Sequence, residues 1–282
     1  MNNKQNQTGN VVNVEEMGGN MQQEEQTMRS AVEREHFDKV AEKRLAKGTS
    51  CLIIDPSEFE RYRLTKHADY FMKEKMFSLV NQFEGKKLLE VGCGEGESSV
   101  RLAYVGKEVT AFDVSPKSIE YAKLVAEANG MNVNFQVGDM IQKGTLGKEE
   151  FDIVWFELIL HHLVPELDNV MQCAYDALKP GGLFVSTEPV AYARWLKKFA
   201  KFRPGWSPDC YTPDECPLRP SEFEIIRRYF PNLQMKYYGL SRAGRFFRDL
   251  NVIKFIHRID HCLLLIPGMK KLAGYVVMWA YK

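Results

Sequence analysis

Along the chain, the spacing of apolar residues changes near Gly85. Before it, Ser30–Gly48 (SAVEREHFDKVAEKRLAKG) predicts a polar helix that starts at a capping serine and stops at a glycine. A second helix is predicted over Asp69–Phe83, with Tyr70, Met76, Leu79, Val80 and Phe83 on its apolar side. After Gly85, short apolar runs alternate with helical patterns. Strands are expected at Lys86–Val91, Glu108–Asp113, Val133–Val137, Phe151–Phe156 and Leu183–Thr187. The helices between them are Glu97–Val105, Pro116–Asn129 and Glu166–Leu178. Such alternation predicts a parallel sheet covered on both faces.

The remainder is less regular. Ala191–Phe202 reads as a helix bearing Trp195 and Phe199, and Arg203–Pro220, with five prolines, as a loop. Ser221–Phe230 predicts a helix and Leu233–Tyr238 a strand. Arg242–Ile266 predicts a basic amphipathic helical region whose stripe Phe246, Leu250, Ile253, Ile256 and Ile259 is first of all a packing face. Tyr275–Tyr281 closes the chain as a last strand.

Composition narrows the class. With 45% hydrophobic and 27% charged residues, 282 residues can bury a sizeable core, which excludes fibrous and wholly disordered proteins. Six cysteines without a CxxC pair fit a reducing, cytoplasmic setting. Residues 1–30, rich in Asn and Gln and without an apolar run, are expected to be a solvated, disordered tail. No apolar stretch is long enough to span a bilayer. The whole chain carries 38 Lys+Arg against 37 Asp+Glu, yet residues 190–282 carry 17 against 7. An acidic front therefore precedes a basic back.

The densest chemical signal is Leu88-Leu89-Glu90-Val91-Gly92-Cys93-Gly94-Glu95-Gly96, an apolar strand running into alternate glycines. Glycines at such a turn let the backbone approach a ligand closely. Asp113 ends the next strand, where a carboxylate can accept the hydroxyls of a ribose. Gly138-Asp139-Met140 ends the third, where an acidic side chain can meet an adenine amino group. A nicotinamide or flavin domain needs Gly-x-Gly-x-x-Gly, and Glu97 stands where its third glycine would be. Glu95 and Glu97 would also lie beside a bound diphosphate, which is unfavourable.

In order and spacing, these motifs over Lys86–Thr187 resemble the class I S-adenosylmethionine-dependent methyltransferases. The resemblance implies a Rossmann-like, seven-stranded, mostly parallel sheet whose sixth and seventh strands form the antiparallel pair, with S-adenosyl-L-methionine as cofactor. It implies that Glu90, Gly92, Cys93, Gly94 and Gly96 frame the methionine moiety and that Asp113 and the adjoining Val114 hold the ribose. Asp139 and Met140 would meet the adenine, and Trp155–Leu158, Phe156 included, would lie beside the sulfonium. It divides the chain at about 31–84 (helices closing over the donor), 85–190 (donor-binding core) and 191–282 (acceptor-shaping insert and last strands). Tyr62, Tyr70, Trp195, Phe199, Trp206 and Tyr211 become candidate pocket aromatics.

Methyl transfer needs a nucleophile about 3 Å from the methyl carbon and in line with the departing sulfur. A base is needed only when the acceptor must lose a proton. Glu157, His161 and His162 are the candidates, and a packed, hydrogen-bonded histidine or no dedicated base is the alternative. Cys93 reads as a small packed residue. Cys210 and Cys216 lack zinc-like pairing, and surface placement is expected for His257 and His261. The expected acceptor is a small molecule, hydrophobic or anionic, methylated at oxygen, nitrogen or activated carbon, and not nucleic acid. Two alternatives are a lipid-like or quinone-precursor acceptor met at a membrane surface through residues 242–271, and a binding module without catalysis.

Overall fold

Four consecutive buried residues, Leu88, Leu89, Glu90 and Val91, make β1 (Lys87–Val91) a strand covered on both faces. The computed structural model describes residues 14–46, 48, 52–140, 147–190, 217–240 and 249–282, with side chains from residue 27 onward. β1 pairs in parallel with β2 (Glu108–Asp113) and β4 (Phe151–Glu157). Outside these lie β3 (Asn134–Val137) on one side and β5 (Leu178–Pro189) on the other. β6 (Gln234–Tyr238) and β7 (Tyr275–Tyr281) complete the order β3-β2-β1-β4-β5-β7-β6, with β7 antiparallel to both neighbours. This is the seven-stranded, mostly parallel sheet that the resemblance implies.

Register brings the strand tips together. Val91 is level with Phe112 and Phe156, Asp113 with Val137, and Glu157 with Thr187. Ligand-contacting loops of an open α/β sheet gather at this carboxyl edge, where the order reverses between β1 and β4.

Each face carries its own apolar layer. On one, Trp155 packs edge-on against Phe77 beneath α2 (Pro56–Leu64), α3 (Met72–Gln82), α4 (Glu97–Tyr104) and α5 (Pro116–Ala128). On the other, Phe156, Phe184 and Phe230 pack beneath α6 (Leu167–Ala177) and α7 (Pro220–Tyr229). Local signals set the helix starts. Ser115 accepts the Ser118 N–H at 2.9 Å ahead of Pro116, and Asp55 accepts the Ser57 N–H at 2.7 Å ahead of Pro56.

Several expectations change. α1 runs from Val14 to Leu45, so residues 14–30, expected in a disordered tail, continue the helix predicted from Ser30. Its Glu, Gln, Met and Arg residues are good helix formers, whereas the Asn/Gln bias is concentrated before residue 8. α2 was not predicted, although Asp55-Pro56 is a readable start signal. Leu178–Gly182, expected to close a helix, instead begins β5, where Gly181 takes a positive φ of 75°. The expected helix at Ala191–Phe202 and most of the Pro-rich loop, with Trp195, Phe199, Trp206, Tyr211, Cys210 and Cys216, lie outside the described residues.

In the C-terminal region α8 covers Leu250–Leu264. Its inward residues are Ile253, Ile256, His257, Asp260 and Leu264, while Leu250 and Ile259 of the expected packing stripe are exposed. Phe246 lies outside the described residues. His257, expected at the surface, is half-buried with its ring edge-on to Phe71, at 5.1 Å between centroids. Among the described residues no helix is long and apolar enough to cross a membrane.

Candidate donor site

The glycine turn after β1 is tied to β2: Gly92 N and Cys93 N both donate to the Phe112 carbonyl, at 2.9 and 3.1 Å. Its three glycines answer different demands. A Cβ on Gly92 would lie 2.6 Å from Ile159, and one on Gly96 2.6 Å from the Ala122 Cβ, so both keep the chain close to its neighbours. Gly94, with φ of +50°, has nothing within 4 Å of its absent Cβ. That side of the turn faces the open cleft.

The cleft is lined by Gly92, Gly94, Asp113, Val114, Asp139, Met140 and His162 from the predicted set. Asp113 is held in place by both oxygens, Oδ2 accepting from Gly94 N at 2.8 Å and Oδ1 from Ser115 N at 2.9 Å. Burial pushes its carboxyl above the ordinary range against the pull of these donors, and Glu33 and Asp38 add repulsion. Glu90, Cys93, Gly96, Phe156, Glu157 and His161 do not line the cleft but stand behind or beside it. Trp155 and Phe156 are fully buried, one in each apolar layer, so of Trp155–Leu158 only Leu158 reaches the lining.

Glu90 is buried under the turn and accepts a hydrogen bond from Ser99 Oγ at 2.5 Å. Burial pushes its carboxyl up to about 8, opposed by the Ser99 hydroxyl and reinforced by Glu157. Burial also pushes the Cys93 thiol well up, which keeps it protonated and matches a packed residue. Burial acts to raise Glu157 too, but Lys73 Nζ at 2.9 Å and Ser98 Oγ at 2.7 Å more than offset it, and the carboxyl sits below its usual value. A carboxylate so engaged is a poor base.

The two histidines differ in kind. His161 is 4% exposed, and its Nδ1 lies 2.7 Å from Glu188 Oε2. Glu188 also accepts the backbone N–H groups of Ile159, Leu160 and His161, fixing the loop after β4. His162 instead borders the cleft, its ring 4.3 Å from that of His161 and edge-on to Phe37 at 6.0 Å.

The sequence pattern named no residue of α1 in this site. α1 lies across the strand tips: Ser30 Oγ donates to Asp139 at 2.7 Å, and Asp38 accepts from Ser115 Oγ at 2.6 Å and Lys117 N at 3.1 Å. Farther along, Arg44 meets Glu95 at 2.5 Å. Ser30, Glu33 and Phe37 join the lining, as do Phe112, Ile159 and Leu163. No spacing in a polar helix marks which of its residues will face a cleft formed by segments far along the chain. Tyr62, a candidate pocket aromatic, packs 4.6 Å from Phe77 within the core, and Tyr70 is absent from the lining.

A crevice at the β1–β4 switch point lined by Glu33, Asp113 and Asp139 suits an adenosyl cation better than the diphosphate of a dinucleotide. The sheet order and flanking helices are those of the class I S-adenosylmethionine-dependent methyltransferase fold. Residues 82–216 of the chain match the family model described as "Methyltransferase domain". Among curated proteins it is 33% identical over 160 residues to a ubiquinone biosynthesis O-methyltransferase of Cereibacter sphaeroides, covering 52% of this chain and 60% of that one. It is 34% identical over 154 residues to the protein of the same name from Paramagnetospirillum magneticum, covering 54% and 61%. The match thus spans about 60% of the length of these relatives. In fold it is similar to an S-adenosylmethionine-dependent methyltransferase of Archaeoglobus fulgidus, with TM-score 0.52 and 17% identity over 81% of this chain and 100% of that one. A second such enzyme, from Mesorhizobium loti, gives TM-score 0.51 and 16% identity over 78% and 100%.

Proposed function

We propose that the protein transfers the methyl group of S-adenosyl-L-methionine to a small-molecule acceptor. The observation that carries this reading is the cleft itself, where Gly94 faces open space and Asp113 is oriented by two backbone N–H groups. When bound, the donor supplies an electrophilic methyl group. Asp113, with lone pairs left on both oxygens, accepts the ribose hydroxyls. Asp139 and Met140 border the adenine, and Glu90 and the glycine turn lie beside the methionine end. The loop after β4 positions the acceptor, and His162 takes its proton where one must be lost.

Isothermal titration tests the donor half. Asp113→Ala should weaken S-adenosylmethionine binding by about 1.5–3 kcal/mol, and unchanged affinity would refute the ribose placement. A donor-consumption assay against fractionated metabolite pools, with mass detection of methyl gain, tests the acceptor half.

A second reading, an acceptor met at a membrane surface, has its own support. On α8 the residues Val252, Phe255, Ile259, Cys262 and Ile266 lie at helical spacing and are exposed, Phe255 by 64%. Lys254, Arg258, Lys270 and Lys271 flank them, as on an interfacial helix. The curated relatives named above carry ubiquinone biosynthesis in their names. On this reading the acceptor is a lipid-like quinone precursor and the protein is peripheral. Co-sedimentation with anionic phosphatidylglycerol vesicles should fall when Phe255 and Ile259 are both changed to Glu. Equal sedimentation of both forms would remove this reading.

A further inference from the structure

Glu33 is 7% exposed, yet among the described residues its Oε1 has no hydrogen-bond donor. His162 Nδ1 stands 3.4 Å from this oxygen but makes no hydrogen bond to it. The Glu33 side chain lines the cleft from α1, together with Asp113 and with Asp139, to which Ser30 of the same helix donates. Asp38 lies farther along the same helix, and the repulsion of Glu33 and Asp38 is felt at Asp113. A carboxylate oxygen removed from water, without a donor and beside other carboxylates, is unfavourable until a positive charge enters.

We propose that Glu33 is the counter-ion for a ligand sulfonium and makes the cleft discriminate the charged methyl donor from its neutral thioether product. This rests on the donor reading of the cleft above. When the methyl group leaves, the bonding electron pair stays on sulfur, which becomes uncharged. Glu33 then loses the counter-charge that the ligand supplied, so the spent product is held less tightly than the donor. The contact stabilises a charge that fades as the methyl departs, so its benefit lies in donor selection and product exchange and not in the transfer step.

The test is titration of wild-type protein and Glu33→Gln with three ligands: S-adenosylmethionine, S-adenosylhomocysteine, and sinefungin, which carries an amine in place of the sulfonium. Glutamine preserves shape and removes charge. The variant should lose on the order of tenfold in affinity for the two cationic ligands, with little change for S-adenosylhomocysteine. Glu33→Asp, which keeps the charge, should retain the preference, and matching thermal melts establish that both variants fold. Equal weakening of all three ligands, or no change in any, overturns the proposal and leaves the donor reading standing. Failure of the wild-type protein to bind any of them overturns both.

Discussion

Glu188 Oε2 lies 2.7 Å from His161 Nδ1, and the same fully buried carboxylate accepts three successive backbone N–H groups, from Ile159, Leu160 and His161. A single side chain at the end of β5 thereby holds the loop that leads from β4 to His162. Leu158, at the start of this loop, takes a positive φ of 57°, a conformation that needs such external support. Glu188→Ala would leave these donors unmatched in a site closed to water, with an expected loss of about 3 kcal/mol in unfolding free energy. Glu188→Gln turns an amide N–H toward some of the same donors and should recover only part of it. Urea denaturation of both variants checks this.

The separation of the two histidines predicts separable phenotypes. His161→Ala should lower the urea midpoint, because it leaves the Glu188 carboxylate short of a partner. His162→Ala should leave stability and S-adenosylmethionine affinity nearly intact. Where the acceptor must lose a proton, it should lower kcat by about 10²–10⁴-fold. Unfolding curves paired with single-turnover rates distinguish the two; an equal loss of turnover in both would place the loop geometry, and not one imidazole, at the centre of the effect.

The three glycines of the turn make a similar contrast. Gly96→Ala sets a Cβ 2.6 Å from Ala122 at φ +76°, where the packing of α4 on α5 must yield. It should destabilise the fold by about 2 kcal/mol or more. Gly94→Ala meets no protein atom and should cost only about 1 kcal/mol of backbone strain, yet its methyl group projects toward the cleft. Donor affinity should therefore fall in Gly94→Ala by more than its stability loss accounts for. Thermal melts and titration calorimetry on the two variants give the comparison.

The parts of this fold legible in the sequence are those with local causes. β1 and its glycines, Asp113 at the end of β2, and the Ser115-Pro116 start of α5 each declare themselves within a few residues. The reach of β5 back to Leu178 was hidden by Lys179-Pro180-Gly181-Gly182, which resembles a helix stop whether or not a strand follows. What could not be read depends on distant partners. Glu188 looks like any acid after a strand until the loop after β4 is brought beside it. Ser30, Glu33 and Asp38 look like the solvated face of a polar helix until α1 crosses the strand tips. Glu157 was a candidate base by position, and only Lys73, from a helix well before the glycine turn, shows that its charge is already engaged.

Glu90 offers a pH-dependent signature of the site. Burial raises its carboxyl from 4.5 to about 8, so the folded protein keeps a proton that the unfolded chain releases across that window. The sign follows: its contribution to stability is complete below 4.5 and is lost as pH rises through about 8. The slope from this one group is at most about 1.4 kcal/mol per pH unit. Glu90→Gln holds the same space without titrating, so the difference in urea midpoint between variant and wild type should move in the variant's favour as pH increases. A cationic ligand beside Glu90 favours the ionised carboxylate, so S-adenosylmethionine should release a proton on binding near neutral pH. That release appears as a binding enthalpy that depends on the ionisation enthalpy of the buffer, and it should vanish in Glu90→Gln. A wild-type enthalpy independent of buffer would mean that Glu90 stays protonated with the donor bound, and that its role is to brace the turn through Ser99.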